Sequence, residues 1–324
     1  MAIQPRQAHC HRPRQFHAQA RRRTPTKQTM TTASYRSVFR PGLFAGQTII
    51  VTGGGSGIGR CIAHELASLG AALALVGRKV EKLQAVQAEI GAAAPQVTVT
   101  IHSCDIRDES GVKQMIADVL ASHGRIDGLV NNAGGQYPQP VRDITLKGWD
   151  AVVRNNLHGG FLVSREAYTQ WMEGHGGAIV NIIADMWMGM PGMAHSGAAR
   201  AGMLSFTETA ACEWGHAGVR VNAVAPGFIA SSGFDTYGPE MQAKFRSLMK
   251  TAPLQRYGTE AEISSAVVYL LSEGAAYITG SFIRVDGGVP NARQTWKLEE
   301  HSRSRPYEGF PLAKMPECLK PGAD

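Results

Sequence analysis

The stretch Thr52-Gly-Gly-Gly-Ser-Gly-Ile-Gly59 follows an apolar run ending in Val51 and opens onto Arg60-Cys-Ile-Ala-His-Glu-Leu66, whose apolar spacing is helical. Strand, glycine turn and helix in that order mark the start of a βαβ unit. Glycines permit the tight turn and let backbone N–H groups approach a pyrophosphate at a helix N-terminus, where the dipole favours negative charge. A glycine cluster alone would read as a flexible loop. In this context it reads as a dinucleotide-binding turn made by Thr52, Gly53, Gly55, Ser56, Gly57, Ile58 and Gly59.

From about residue 45 onward, short apolar runs alternate with amphipathic stretches, the pattern of a parallel sheet with helices on both faces. Seven strands are predicted, at residues 47–51, 72–76, 97–102, 128–130, 178–183, 220–224 and 281–286. The intervening stretches include Val112, Met115, Ile116, Val119, Leu120 and Ile263, Ala266, Val267, Leu270, Leu271, both at i, i+3, i+4, i+7, i+8. No repeat or linker interrupts residues 41–290, so the expected fold is a single α/β domain, doubly wound and Rossmann-type. Residues 291–324, with Trp296, Tyr307, Phe310 and several prolines, read as an irregular C-terminal arm.

The formal charge of +7 raises the question of an anionic partner, but residues 1–40 hold nine cations and no carboxylate, leaving −2 for the rest. A mildly acidic body gives no reason to expect nucleic acid. The basic segment is read as a disordered extension. It resembles a mitochondrial transit peptide in composition, while the favoured reading starts translation at Met30 and leaves a cytoplasmic protein. The five cysteines are widely spaced, with no Cys-x-x-Cys pair, which argues against a disulfide framework or a bound metal. No run of 18 or more apolar residues indicates a membrane-spanning helix.

About 20 residues past such a turn, NAD-selective proteins carry an acidic residue for the ribose hydroxyls. Here the chain reads Val76-Gly77-Arg78-Lys79. An Arg suits a ribose 2′-phosphate by charge and by its fork of donors, so NADP(H) is the expected cofactor.

Asn131-Asn-Ala-Gly134 after the fourth strand and Pro226-Gly227 after the sixth, taken with the glycine turn, resemble the short-chain dehydrogenase/reductase family over about residues 44–288. The resemblance implies that Asp105 and Ile106 border the adenine and that Asn132, Ala133 and Gly134 lie along the cofactor. It also implies that Pro226, Gly227, Ile229 and Ser231 meet the nicotinamide amide, and that Asn156 holds the active-site helix and a water. A homo-oligomer, tetramer or dimer, is implied on the same ground.

The family reduces carbonyls with a Ser, a Tyr and a Lys, and this chain has none of them: the aligned positions are Ala184, Ser196 and Arg200. An alkoxide needs a proton donor, which Ser196 and Arg200 supply poorly. Arg200 can still bind the nicotinamide ribose. A conjugated thioester makes a different demand, because hydride at its β carbon leaves an enolate that needs hydrogen-bond donors more than a strong acid. Ser196, Asn156, Gln136 and Tyr137 are candidates for that role. The wording His195-Ser-Gly-Ala-Ala-Arg-Ala-Gly202 resembles the peroxisomal-type trans-2-enoyl-CoA reductase branch. Dienoyl-CoA reductases of the family take a Tyr from just after the fifth strand, where this chain has Asp185. His195 is read as packed or substrate-facing, because adjacency to Ser196 excludes a nucleophilic pair.

Residues 228–258 match the family's substrate-covering loop. Met241, Phe245 and Met249 form a helical stripe there, and Tyr237, off that stripe, is a reserve substrate donor. Three readings therefore stand. The first is reduction of an enoyl thioester by NADPH, and the second is oxidation or reduction of a hydrophobic alcohol or aldehyde. The third is cofactor binding without chemistry.

Overall fold

Two apolar faces follow from alternation along the strands: in β1 (Thr48–Thr52), Ile49 and Val51 face one helical layer while Ile50 faces the other. The remaining strands are β2 (Ala72–Gly77), β3 (Val99–Ser103), β4 (Gly128–Asn131), β5 (Gly177–Ile182), β6 (Val219–Pro226) and β7 (Phe282–Val285). All pair in parallel in the order β3-β2-β1-β4-β5-β6-β7, with Ile50 level with Ala74 and Leu129. The computed structural model describes residues 34–292 and 297–320. Each predicted strand is present, within two residues at its start and its end.

The helices are α1 (Gly57–Ser68), α2 (Val80–Ala93), α3 (Glu109–His123), α4 (Leu146–Val153) and α5 (Gly159–Ala167). A short α6 (Glu173–His175) precedes α7 (Ala194–Trp214), α8 (Pro239–Leu248) and α9 (Glu260–Leu271). On α3 the predicted stripe is buried at Val112, Met115, Ile116 and Val119. On α9, Ile263, Val267 and Leu270 are buried against the opposite face, each contributing about 1.5–3 kcal/mol. Helix α9 starts on a capping box between Thr259 and Glu262.

Residues ahead of 41 also pack into the domain, Tyr35 and Ser37 among them. Glu65 on α1 is fully buried, and its carboxylate accepts from Tyr35 at 3.1 Å, Ser37 at 2.7 Å and Ser264 at 2.5 Å. A buried carboxylate must have such donors, so residues 35–37 are held inside the fold. Arg36 N–H donates to the Gly309 carbonyl, and Phe310 packs between Tyr35 and His64 under the Arg60 guanidinium. The basic tail ahead of residue 34 and Trp296 lie outside the described residues. Among the described residues past β7 the arm makes only single 3-10 turns, yet Phe310 and Cys318 are buried.

Candidate active site

The sheet order reverses direction between β1 and β4, and a crevice opens there at the carboxyl ends of the strands. Gly53 and Gly57 adopt left-handed conformations (φ +65° and +54°), which glycine permits. A Cβ on Gly59 would stand 2.3 Å from the Gly53 carbonyl oxygen and 2.4 Å from Asn132 Nδ2, so α1 starts directly against the turn. Asn132 Nδ2 donates to the Thr52 carbonyl at 2.9 Å. Thr52 Oγ1 accepts from the Asn132 and Ala133 N–H groups, both at 3.0 Å. Thr52 is thus buried and positions the turn rather than lining the crevice.

That crevice has a volume of about 490 Å³. Gly53, Gly55, Ser56, Ile58 and Gly59 line it on the turn side, and Asn132, Ala133 and Gly134 on the β4 side. Asp105 and Ile106 close one end, with Arg78 and Lys79 beside them. The size and this cradle of close-packed glycines fit a dinucleotide. Pro226, Gly227, Ile229 and Ser231 do not line it: Ile229 is buried, and a Cβ on Gly227 would meet Asp286 at 2.6 Å. The segment past β6 reaches the crevice through Thr236 instead.

Lys82, in the first turn of α2, lines the crevice with Arg78 and Lys79, and a Cβ on Gly55 would stand 3.0 Å from its Cβ. Asp105, the nearby carboxylate, is ion-paired to Arg107 at 2.5 Å and held down to about 2 by that contact, against the opposing effect of burial.

At the mouth, Ser196 Oγ donates to Gln136 Oε1 at 2.5 Å, and Gln136 Nε2 donates to Tyr237 Oη at 3.3 Å. Gln136 therefore bridges the first turn of α7 to the substrate-covering segment, and the hydroxyl hydrogen of Tyr237 remains available. Tyr237 also packs edge-on against Phe245, which is buried. Asn156 lies in a π-helical turn between α4 and α5. Its Nδ2 donates to the carbonyls of Gly135 and Val152, and its Oδ1 accepts from Gly135 N–H. It commits both donor hydrogens to backbone and fixes the loop after β4.

Arg200 Nη1 donates to the Ile182 carbonyl at 2.5 Å, while Nε has no partner. Burial pulls its pKa down to about 10, which still leaves it charged at neutral pH. Its other terminal nitrogen stands where a Cβ on Gly134 would meet it at 2.7 Å, placing the guanidinium along the crevice wall. His195 is fully buried behind Tyr137, with ring centroids 4.7 Å apart. Its Nδ1 accepts the Ser196 N–H at 2.9 Å, close to the start of α7, and its buried Nε2 has no partner among the described residues.

Asp185 follows β5 with one carboxylate oxygen buried and unpartnered. Burial and then Asp286 raise its pKa, and Arg284 partly offsets them. Asp286 follows β7, so the two carboxylates meet across the end of β6, an approach that only the strand order reveals. Arg284 approaches Asp286 at 3.5 Å.

A family model described as Enoyl-(Acyl carrier protein) reductase matches residues 53–290. The chain belongs to the short-chain dehydrogenase/reductase family. Among curated members of that family, it is 38% identical over 245 residues to a probable 2,4-dienoyl-CoA reductase of Bacillus subtilis, covering 75% of this chain and 96% of that one. It is 37% identical over 246 residues to a 3-oxoacyl-[acyl-carrier-protein] reductase of Staphylococcus aureus, covering 75% and 98%. Among solved structures, a citronellol catabolism dehydrogenase of Pseudomonas aeruginosa is 57% identical with a TM-score of 0.71, covering 79% of this chain and all of that one. Membership makes the chain an oxidoreductase using a nicotinamide cofactor, which removes the reading of binding without chemistry. Against the short-chain dehydrogenase/reductase pattern, the site keeps the glycine turn and Asn156 but has Ala184, Ser196 and Arg200 where carbonyl reduction relies on Ser, Tyr and Lys.

Proposed function

We propose that this protein uses NADPH to saturate the double bond of an α,β-unsaturated acyl thioester. The observation that carries the reading is a well-formed cofactor crevice beside a site rich in hydrogen-bond donors and lacking the Tyr–Lys acid. NADPH, when bound, supplies a hydride to the β carbon. Arg78, Lys79 and Lys82 would hold the 2′-phosphate, since three cations share that end and Asp105 is neutralised by Arg107. Arg200 stays protonated, and its second terminal nitrogen, beside Gly134, can stabilise negative charge on the thioester oxygen without giving up a proton. Tyr237 adds a free O–H from the covering segment. Asp185, with its raised pKa, can hold the proton that the α carbon must receive, delivering it directly or through water.

One comparison favours a second reading, oxidation of a branched terpenoid alcohol or reduction of its aldehyde. That comparison is the 57% identity to a dehydrogenase named for citronellol catabolism. Asp185 would then exchange the hydroxyl proton.

Loss of nicotinamide absorbance on mixing the protein, NADPH and trans-2-decenoyl-CoA tests the proposal. Turnover is expected, and Asp185→Asn should lower kcat about a hundredfold. With a protonated donor, kcat falls as pH rises through the donor's raised pKa, and the variant should lose that limb. No turnover of enoyl thioesters of any length, alongside oxidation of a terpenoid alcohol with NADP⁺, would put the second reading in its place.

A further inference from the structure

We infer that the cavity beyond Asp185 holds the apolar tail of the substrate and that its methionine wall admits methyl-branched chains. The inference rests on the assignment of the reaction site above and adds the substrate's hydrocarbon portion to it. The segment Asp185-Met-Trp-Met-Gly-Met-Pro-Gly-Met193 carries four methionines in nine residues. With Phe228, Val289 and Pro290 it bounds a cavity of about 600 Å³, within the usual range of small-molecule sites.

Two residues of the cavity wall adjoin the proposed reaction site. Asp185, the candidate proton donor, lines the cavity. Met190 lines it as well, and its Cβ, Cγ and Sδ lie 3.4, 3.5 and 3.6 Å from where a Cβ on Gly197 would stand, one residue beyond Ser196. Val289 and Pro290, just past β7, line it from a different element.

The walls differ in stiffness. Trp187 stacks on Phe282 with centroids 5.0 Å apart, and Arg284 covers the indole at 5.7 Å, so one wall is clamped. The other wall is the methionine loop, in which Met188, Gly189 and Gly192 have φ of +72°, +85° and +79°. Met188 is 83% exposed in this left-handed conformation, unusual for a residue with a side chain. Methionine has three rotatable bonds and a polarisable sulfur, and so moulds to irregular apolar shapes. Among the described residues no lysine or arginine lines the cavity, and Asp185 is the one acidic residue there. That lining suits hydrocarbon and not the phosphates of a nucleotide head group, which must leave the site elsewhere.

The test measures binding of butyryl-, octanoyl- and decanoyl-CoA and a methyl-branched decanoyl analogue to the full-length protein with NADP⁺, and of the matching alcohols, by calorimetry. Each buried methylene should tighten binding about fourfold until the cavity fills, with the branched analogue within a few-fold of the linear one. Val289→Trp should abolish the gain at the long end while leaving butyryl-CoA unchanged, and Met193→Trp should act alike in a different part of the wall. Equal binding of butyryl and decanoyl chains, exclusion of the branched chain, or an unaltered length dependence in both variants would overturn the inference. Length-dependent binding that the variants erase, in a protein that reduces no enoyl thioester, would uphold the tail pocket and refute the proposed reaction.

Discussion

Gly59→Ala tests whether the cofactor turn is held by close packing or merely by sequence habit. Gly59 lies in the first turn of α1, where alanine would ordinarily gain about 1 kcal/mol of helix propensity. Its new Cβ, however, would meet the Gly53 carbonyl oxygen at 2.3 Å and Asn132 Nδ2 at 2.4 Å. Relieving that overlap costs about 1–3 kcal/mol, and pushing Asn132 off the Thr52 carbonyl loses roughly another 1 kcal/mol. The expected net effect is a destabilisation of about 2 kcal/mol, with NADPH affinity reduced at least about tenfold because the same shift misplaces the phosphate-facing N–H groups. Gly91→Ala in α2 is the control: nothing lies within 4 Å of its Cβ position, and it should stabilise by up to about 1 kcal/mol without affecting cofactor binding. Urea unfolding and fluorescence titration with NADPH measure both. If Gly59→Ala behaves like Gly91→Ala, the packing argument is wrong.

Burial raises the Glu260 carboxyl from its ordinary 4.5 to about 7, with Arg60 opposing the rise. Folding therefore favours its protonated form, and stability is lost as pH climbs from 4.5 to 7. Glu260→Gln should leave stability unchanged at pH 4 and raise it by about 2–3 kcal/mol at pH 8, less the small helix-dipole contribution of the carboxylate. A difference independent of pH in urea titrations would contradict this. Arg78→Glu should move the NADPH/NADH ratio of dissociation constants by about tenfold to a hundredfold towards NADH, the effect of losing a charge-assisted contact. An unchanged ratio would leave the 2′-phosphate without its assigned partner. Gln136→Leu removes the bridge between Ser196 and Tyr237, and should lower kcat/KM on the turned-over substrate about tenfold through loss of covering-segment order. Steady-state kinetics identical to the parent would show that the bridge is incidental.

Much of the fold was legible because the signals are local. A parallel strand buried on both faces reads as an apolar run, and the glycine turn lies within eight consecutive residues, Thr52 to Gly59, so all seven strands and one wall of the crevice could be read directly. The N-terminal boundary was misjudged at residue 40 because composition there is uniformly basic, while Tyr35 and Ser37 are held by a carboxylate nearly thirty residues away.

By itself the sequence determined that a nicotinamide nucleotide is bound and that the usual acid of the family is missing, since both depend on which residue types occupy short motifs. Only the tertiary structure decided what remains around that gap. Strand order brings Asp286 beside Asp185 across the end of β6, and loop packing lets Gln136 tie Ser196 to Tyr237. Burial makes His195, read as packed or substrate-facing, an internal hydrogen-bond acceptor. Charge, proton affinity and donor availability at a site are set by neighbours distant in the chain. No spacing rule along the sequence encodes how those neighbours approach in space.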